Sequence, residues 1–253
     1  MKLFHLNIEK GRKYPDLIKY IKRIEPDILC FQELAGGDYH GQKGDHFTEL
    51  LADLPQYNGV LSKQNQPEGH TDTYMGVGIF VLKEYKISSK KEIIMTPNSG
   101  RMIRSDDPMN MHCGNTALDV AIRLNGKKIS IVTGHFTWEN SPYDNNYKIE
   151  RAAKVLKHLK KLKHDFVLTG DFNVKAETKT VSQFSEVGTI LTSQMGIGNT
   201  LNPALSRHKH LFPKGVDCDH IIVSKGVNVN KLELIREPDL SDHFGLLMEF
   251  TVQ

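Results

Sequence analysis

Cysteine is scarce in this chain of 253 residues, with only Cys30, Cys113 and Cys218 present. An odd number with no CxxC pair argues against a disulfide framework and against a structural zinc site. Long apolar runs are missing too, so no segment of the sequence is long enough to cross a bilayer. The first strand is expected from Lys2, which leaves no leader-like stretch before it. These absences predict a reduced, cytoplasmic protein. The net charge is only +3 and no long Lys/Arg block stands out, a balance that permits a phosphate-rich partner without demanding one. The basic residues between Lys154 and Lys163 read as the solvated face of a helix. Repeats, low-complexity tracts and linkers are absent, so residues 1–253 are read as a single domain. The hydrophobic set is 39% of the chain, enough for a core without staples.

What is present is a series of short apolar runs. Leu3 to Ile8 reads as a buried strand. Pro15 and Asp16 open a helix whose Leu17, Ile18, Ile21 and Ile24 follow helical spacing as far as Pro26. Asp27 to Phe31 is a second buried strand ending at Gln32-Glu33, and Phe47, Leu50, Leu51 and Leu54 suggest a second helix. Val77 to Leu82 is another strand. Ala117–Leu124 and Lys128–Thr133 flank Asn125-Gly126, a strong hairpin signal. An amphipathic helix is expected over about residues 147–164, with Ile149, Ala152, Ala153, Leu156 and Leu159 facing inward. Phe166 to Leu168 is a buried strand leading into Gly170-Asp171-Phe172-Asn173. Two late strands, 221–223 and 244–252, follow the dipeptides Asp219-His220 and Asp242-His243. Adjacent strand pairs with helices between others predict a mixed α/β architecture.

Polar residues recur where these strands end or begin, which is where a rigid scaffold presents chemistry to solvent. Each has a bland reading on its own. Asn7 could cap a turn, Glu33 could be solvated, and His135 could be a satisfied core histidine. Asp171 and Asn173 could form an Asx-turn, and Asp242-His243 a local hydrogen bond. Together, though, they supply only Asn, Glu, Asp and His. Those groups bind a hard cation such as Mg²⁺ or Mn²⁺ and move protons near neutral pH. With no thiolate taking part, the set points away from zinc.

The segments Leu6-Asn7, Phe31-Gln32-Glu33, Thr133-Gly134-His135-Phe136, Gly170-Asp171-Phe172-Asn173, Asp219 to Ser224 and Ser241-Asp242-His243-Phe244 span nearly the whole chain. In that order they resemble the motif set of the endonuclease/exonuclease/phosphatase superfamily. The resemblance implies a four-layer α/β sandwich, two mixed β-sheets packed face to face with helices outside, and a site at one rim. It implies a Mg²⁺- or Mn²⁺-dependent phosphoester hydrolase. Glu33 would be the main metal ligand, with Asn7 and Asp242 beside it. Asp171 would orient or deprotonate the attacking water, a role His243 could exchange with it. Asn173 would hold Asp171 and a phosphate oxygen. His243, positioned by Asp242, would contact the phosphate, and His135 would bind phosphate or assist the leaving group. Asp219 would complete the acidic cluster or orient a histidine.

Two positions depart from the family pattern. His220 stands where an aromatic is common, and Asp217 where a basic residue is frequent. Asp217 and Asp219 alternate and could form a second acidic site, or Asp217 could be a solvated loop acid. Substrate is the least legible property. Arg101 and Arg104 lie in a loop able to bind phosphates. Trp138 and Tyr143 lie in another, able to stack on bases or simply to pack. The loop Arg207 to His210 adds positive charge. These features favour nucleic acid as the substrate of a monomeric enzyme. A lipid or small-molecule phosphodiesterase is the alternative, and a non-catalytic module of the same fold the weakest reading.

Overall fold

Alternation along the strands sorts the apolar residues onto two faces of each sheet, and that sorting produces layers. The computed structural model describes residues 1–39, 43–101, 114–124 and 126–253. Its first half holds β1 (Lys2–Asn7), α1 (Tyr14–Ile24), β2 (Ile28–Gly36), α2 (His46–Asp53), β3 (Tyr57–Asn65), β4 (Tyr74–Leu82) and β5 (Ile87–Thr96). Then follow β6 (Asn115–Leu124), β7 (Lys127–His135), α3 (Asn146–Leu159), β8 (Asp165–Asp171), α4 (Lys179–Ser182), β9 (Thr189–Ile190) and α5 (Leu191–Gln194). The chain closes with β10 (Asp219–Val223), β11 (Val227–Ile235) and β12 (Gly245–Val252). Two six-stranded sheets result, ordered β11-β12-β1-β2-β4-β3 and β5-β6-β7-β8-β10-β9. Both are mixed. The pairs β1–β2 and β7–β8 are parallel and the others antiparallel.

The central layer is where the sheets meet. Leu3, Ile28, Cys30 and Val81 of the first pack against Val120, Ile131, Val167 and Ile221 of the second. Each such side chain contributes about 1.5–3 kcal/mol when fully removed from water. On the outer face of the first sheet, Phe4, Leu6, Leu29 and Phe31 meet Leu17, Ile18 and Ile21 of α1. On the outer face of the second, Val132, Phe166 and Leu168 meet Ala152, Val155, Leu156 and Leu159 of α3. The expected four-layer sandwich is therefore present.

Several boundaries differ from the sequence reading for physical reasons. The third helix stops at Leu159 rather than near residue 164. Beyond it, Lys161 and Leu162 donate to the carbonyls of His158 and Leu159 in tighter turns, which brings Leu162 against the outer core. Strands β3, β5 and β11 lacked a clear apolar pattern. All three lie at sheet edges, where Lys, Ser and Asn are tolerated and block further pairing. The expected hairpin forms, with Leu124 opposite Lys127 and Gly126 at φ 80°. Asn125, Arg104 and Cys113 lie outside the described residues.

Candidate active site

Five strands carry a common gradient along the face they turn inward. It runs Leu3, His5, Asn7 on β1 and Ile28, Cys30, Gln32 on β2. On the other sheet it runs Ile131, Thr133, His135 on β7, Val167, Thr169, Asp171 on β8, and Ile221, Asp219 on β10. The apolar core thus turns polar, then ionisable, toward one rim. Register completes the assembly. Asp171 sits opposite His135 on one neighbour and Asp219 on the other, and Asn7 pairs with Gln32.

Glu33 reaches the same rim by a different device. Simple alternation would send it to the outer face with Phe31. Instead the β2–β4 register shifts between Phe31 and Leu34, and Glu33 adopts φ 54°. This bulge re-aims one side chain and reverses the parity, so Leu34 joins Phe31 in the outer core. His243 and Asp242 arrive on the segment before β12. It is held by an isolated bridge from Leu201 to His243 and by Asn202 N donating to the Asp242 carbonyl at 2.8 Å.

The contacts are specific. Asn7 Nδ2 donates to Asp171 Oδ2 at 3.0 Å and to Glu33 Oε1 at 3.3 Å, tying the two carboxylates across the sheets. Its Oδ1 accepts from Glu9 N at 3.0 Å, so the amide oxygen faces away from the carboxylates. His135 Nε2 lies 3.7 Å from Asp171 Oδ2 and 4.0 Å from Glu33 Oε1. His243 Nε2 also lies 3.7 Å from Asp171 Oδ2, while its Nδ1 pairs with Asp219 Oδ2 at 2.8 Å. Asn173, at φ 55°, donates its backbone N–H to Asp171 Oδ1 at 3.0 Å and its amide to the Phe136 carbonyl at 3.1 Å.

Charge is distributed unevenly over this cluster. Burial alone would raise the Glu33 carboxyl, but the Lys10 ammonium, then His135 and His243, hold it down at about 2. Burial opposes charge on Asp219 as well, yet His243 and His5 keep it well below the usual carboxylate range. Asp171 goes the other way. Burial raises it and the nearby Asp219 charge adds to that, against the pull of His243 and His135. Asp242 is raised by burial and by Glu33. His243 is pushed well above the ordinary histidine range despite burial, because Asp219 and Asp171 favour its imidazolium. Neighbouring acids thus have opposite proton affinities, the arrangement acid–base chemistry uses.

Two groups of side chains could hold a cation. Glu33 Oε1 and Asp171 Oδ2, brought from the two sheets to the same Asn7 amide, are oxygen donors of the kind a hard divalent ion such as Mg²⁺ or Mn²⁺ takes. Asn7 could add its oxygen only by turning its amide over. Asp171, Cys218 and His243 offer ligand atoms within 4.8 Å of one another. That second group fits a metal poorly, since burial and Asp219 push the Cys218 thiol up and His243 Nδ1 is engaged by Asp219.

Other expectations divide. Trp138 is half-buried, with its ring 4.7 Å from that of His208, so the loop after β7 meets the basic loop at residues 207–210. Tyr143 is exposed and receives Lys175 Nζ on its hydroxyl at 3.1 Å. Arg101 is exposed, and no contact among the described residues joins its side chain to the cluster. Asp217 and Asp219, the pair considered for a second acidic site, have different partners. Asp217 precedes β10 and accepts from Ala176 N at 3.2 Å, while Asp219 is engaged by His5 and His243. His220 is a packing residue, bonded to the Val174 carbonyl at 2.9 Å and edge-on to Phe172. Sequence reading missed His5, Lys10 and Cys218. His5 Nε2 donates to Asp219 Oδ1 at 3.0 Å, and its place on the inward face of β1, two residues before Asn7, was the available signal.

A two-sheet sandwich with acids and imidazoles gathered at one rim of the inter-sheet core defines the class, an α/β sandwich with a sheltered ionisable site. The chain belongs to the Endonuclease/Exonuclease/phosphatase family, whose model matches residues 5–243. Among solved structures it is similar to a mannosyl-6-phosphatase of Bacteroides thetaiotaomicron, at 16% identity over 99% of each chain and a TM-score of 0.73. It is similar to the human Nocturnin catalytic domain with bound sulfate, at 19% identity over 100% of this chain and 93% of that one, TM-score 0.72. A D. rerio TDP2 complexed with a single-strand DNA product shares 18% identity over 100% and 99%, TM-score 0.68. No curated protein matches the chain by sequence.

Proposed function

We propose that the protein is a divalent-metal-dependent phosphodiesterase acting on nucleic acid by in-line attack of water. The observation that carries this reading is Asp171, whose Oδ2 faces His135 Nε2 and His243 Nε2 at 3.7 Å each. One carboxylate flanked by two imidazoles can bind a water and a phosphoryl group side by side.

Each residue then has a task. Asn173 N–H fixes Asp171 Oδ1, and Oδ2, which also accepts from Asn7, takes the proton of the attacking water on its remaining lone pair as the water oxygen bonds to phosphorus. The raised proton affinity of Asp171 suits that step. His243 is held cationic by Asp219 and is therefore a donor to the phosphoryl oxygens rather than the base. Asp242 helps anchor the segment that carries it. His135 Nε2 is the second donor, placed to meet a phosphoryl or leaving oxygen as the ester bond breaks. Glu33 is the chief ligand for Mg²⁺ or Mn²⁺, which when bound supplies Lewis-acid withdrawal of charge.

The nucleic-acid reading rests on the rim. The tilted Trp138–His208 ring pair, and Tyr143 with Lys175 Nζ 4.9 Å from its ring centroid, put aromatic rings and a cation on these loops. Such surfaces suit stacked bases and a phosphate backbone, each stacked base contributing about 1–3 kcal/mol. A small phosphorylated substrate is the second reading, because Trp138 and His208 join two loops and so narrow the approach. The test is hydrolysis of single-stranded DNA, plasmid DNA, RNA, a 5′-phosphotyrosyl oligonucleotide, sphingomyelin and sugar phosphates with Mg²⁺, Mn²⁺ or EDTA. Metal-dependent cleavage of a nucleic acid that Asp171→Asn abolishes, with Trp138→Ala raising KM, supports the proposal. Turnover confined to sugar phosphates or lipid would move the substrate to the second reading.

A further inference from the structure

The turn after Asn7 is left-handed at three successive residues, Glu9 at φ 46°, Lys10 at 56° and Gly11 at 72°. Only the glycine adopts that region without strain; an ordinary side chain there crowds the following carbonyl. At Gly11 a side chain has no room, since a Cβ would lie 2.1 Å from His46 Nε2. Such outlay at two ordinary residues is expected where their side chains are needed in one place. Glu9 is placed against Arg12 at 3.0 Å and Arg207 at 3.5 Å. Lys10 Nζ is placed on Glu33 Oε2.

That contact puts an ammonium on the carboxylate assigned to the metal. Both groups are sheltered, with side chains 24% and 18% exposed, and Asp242 and Glu9 add further negative charge around Lys10. We infer that Lys10 is a tethered resident cation of the metal site, neutralising Glu33 when no metal is bound and competing with a divalent ion for it. The inference rests on the metal-dependent reading of Glu33. A compact point charge on a flexible four-carbon stem can be displaced without moving the backbone. Once displaced, it remains beside the site as a cation for a substrate phosphate. Two consequences follow. The site is held in shape without metal, and its affinity for the ion is reduced by the competition.

The experiment is calorimetric titration of Mn²⁺ into wild type, Lys10→Met, Lys10→Arg and Glu33→Gln, with melting curves in EDTA and in saturating Mn²⁺. Lys10→Met is expected to bind Mn²⁺ about tenfold more tightly, because an uncompensated sheltered carboxylate is left for the ion. Lys10→Arg keeps the competing charge and stays near wild type. Lys10→Met should melt below wild type in EDTA, with the gap closing in Mn²⁺. Unchanged or weaker Mn²⁺ binding by a folded Lys10→Met, with binding lost in Glu33→Gln, would overturn the role of Lys10 and leave Glu33 as the metal ligand. Absence of Mn²⁺ binding by the wild type would overturn both readings.

Discussion

The two ends of the inter-sheet core are built from the same five strands yet serve opposite purposes. At one end Leu3, Ile28, Ile131, Val167 and Ile221 are fully buried and satisfied by contact alone. At the other, the inward positions of those strands nearest the rim are Asn7, Gln32, His135, Asp171 and Asp219, also buried but polar or ionisable. Between them lies a neutral polar layer. Gln32 Nε2 donates to Thr133 Oγ1 at 2.7 Å, and Thr133 bonds Thr169 at 3.0 Å. The apolar end supplies stability that the rim uses, since a buried, crowded carboxylate such as Asp171 is destabilised in its charged form.

The sharpest way to break this contrast is Asp171→Asn. It is expected to lower kcat by about a thousandfold while thermal stability holds or rises, because a carboxylate whose charge burial disfavours is gone. Melting and turnover measured on one preparation check both halves; a large fall in stability would refute the division. The converse change is Ile131→Ala. A cavity in the fully buried apolar end should cost about 2–5 kcal/mol in urea unfolding, with kcat per folded molecule nearly intact. Thr169→Val probes the layer between. Loss of the hydrogen bond to Thr133 should cost about 1 kcal/mol, and a fall in kcat beyond tenfold would place Thr169 in the site itself.

The smallest effect concerns acid. The Glu33 carboxyl is depressed from 4.5 to about 2 in the fold. The stability it contributes without metal is fully present above pH 4.5 and is lost as pH falls toward about 2. Glu33→Gln should flatten that part of the stability profile in EDTA and leave the rest of the curve unchanged. Its partial exposure to solvent keeps the effect modest.

Much of this could be read from residue order. The strands that carry the site are short apolar runs with a polar group at the end, and spacing located most of the helices' inward faces, though on α3 Val155 is buried while Ile149 and Ala153 are only half-buried. Strands β3, β5 and β11 were illegible because an edge strand is relieved of the apolar pattern that marks a central one. Lys10 was illegible for another reason. Its meaning depends on Glu33, 23 positions away in sequence, and on a left-handed turn at residues that do not ordinarily make one. Cys218 read as a spectator, yet its sulfur lies 3.9 Å from His243 Nδ1.

Sequence alone determined the alternation on each strand, and with it which side chains share a face, because successive residues of an extended chain point in opposite directions. It also determined the family, through motifs kept in order along the chain. Only the tertiary structure decided the partners. Strand register set Asp171 between His135 and Asp219. The bulge at Glu33 overrode alternation to bring that carboxylate to the rim. Packing of the two sheets let Asn7 bridge Glu33 and Asp171. Proton affinities followed from those encounters, since burial and neighbouring charge, rather than residue type, separate a depressed Asp219 from a raised Asp171.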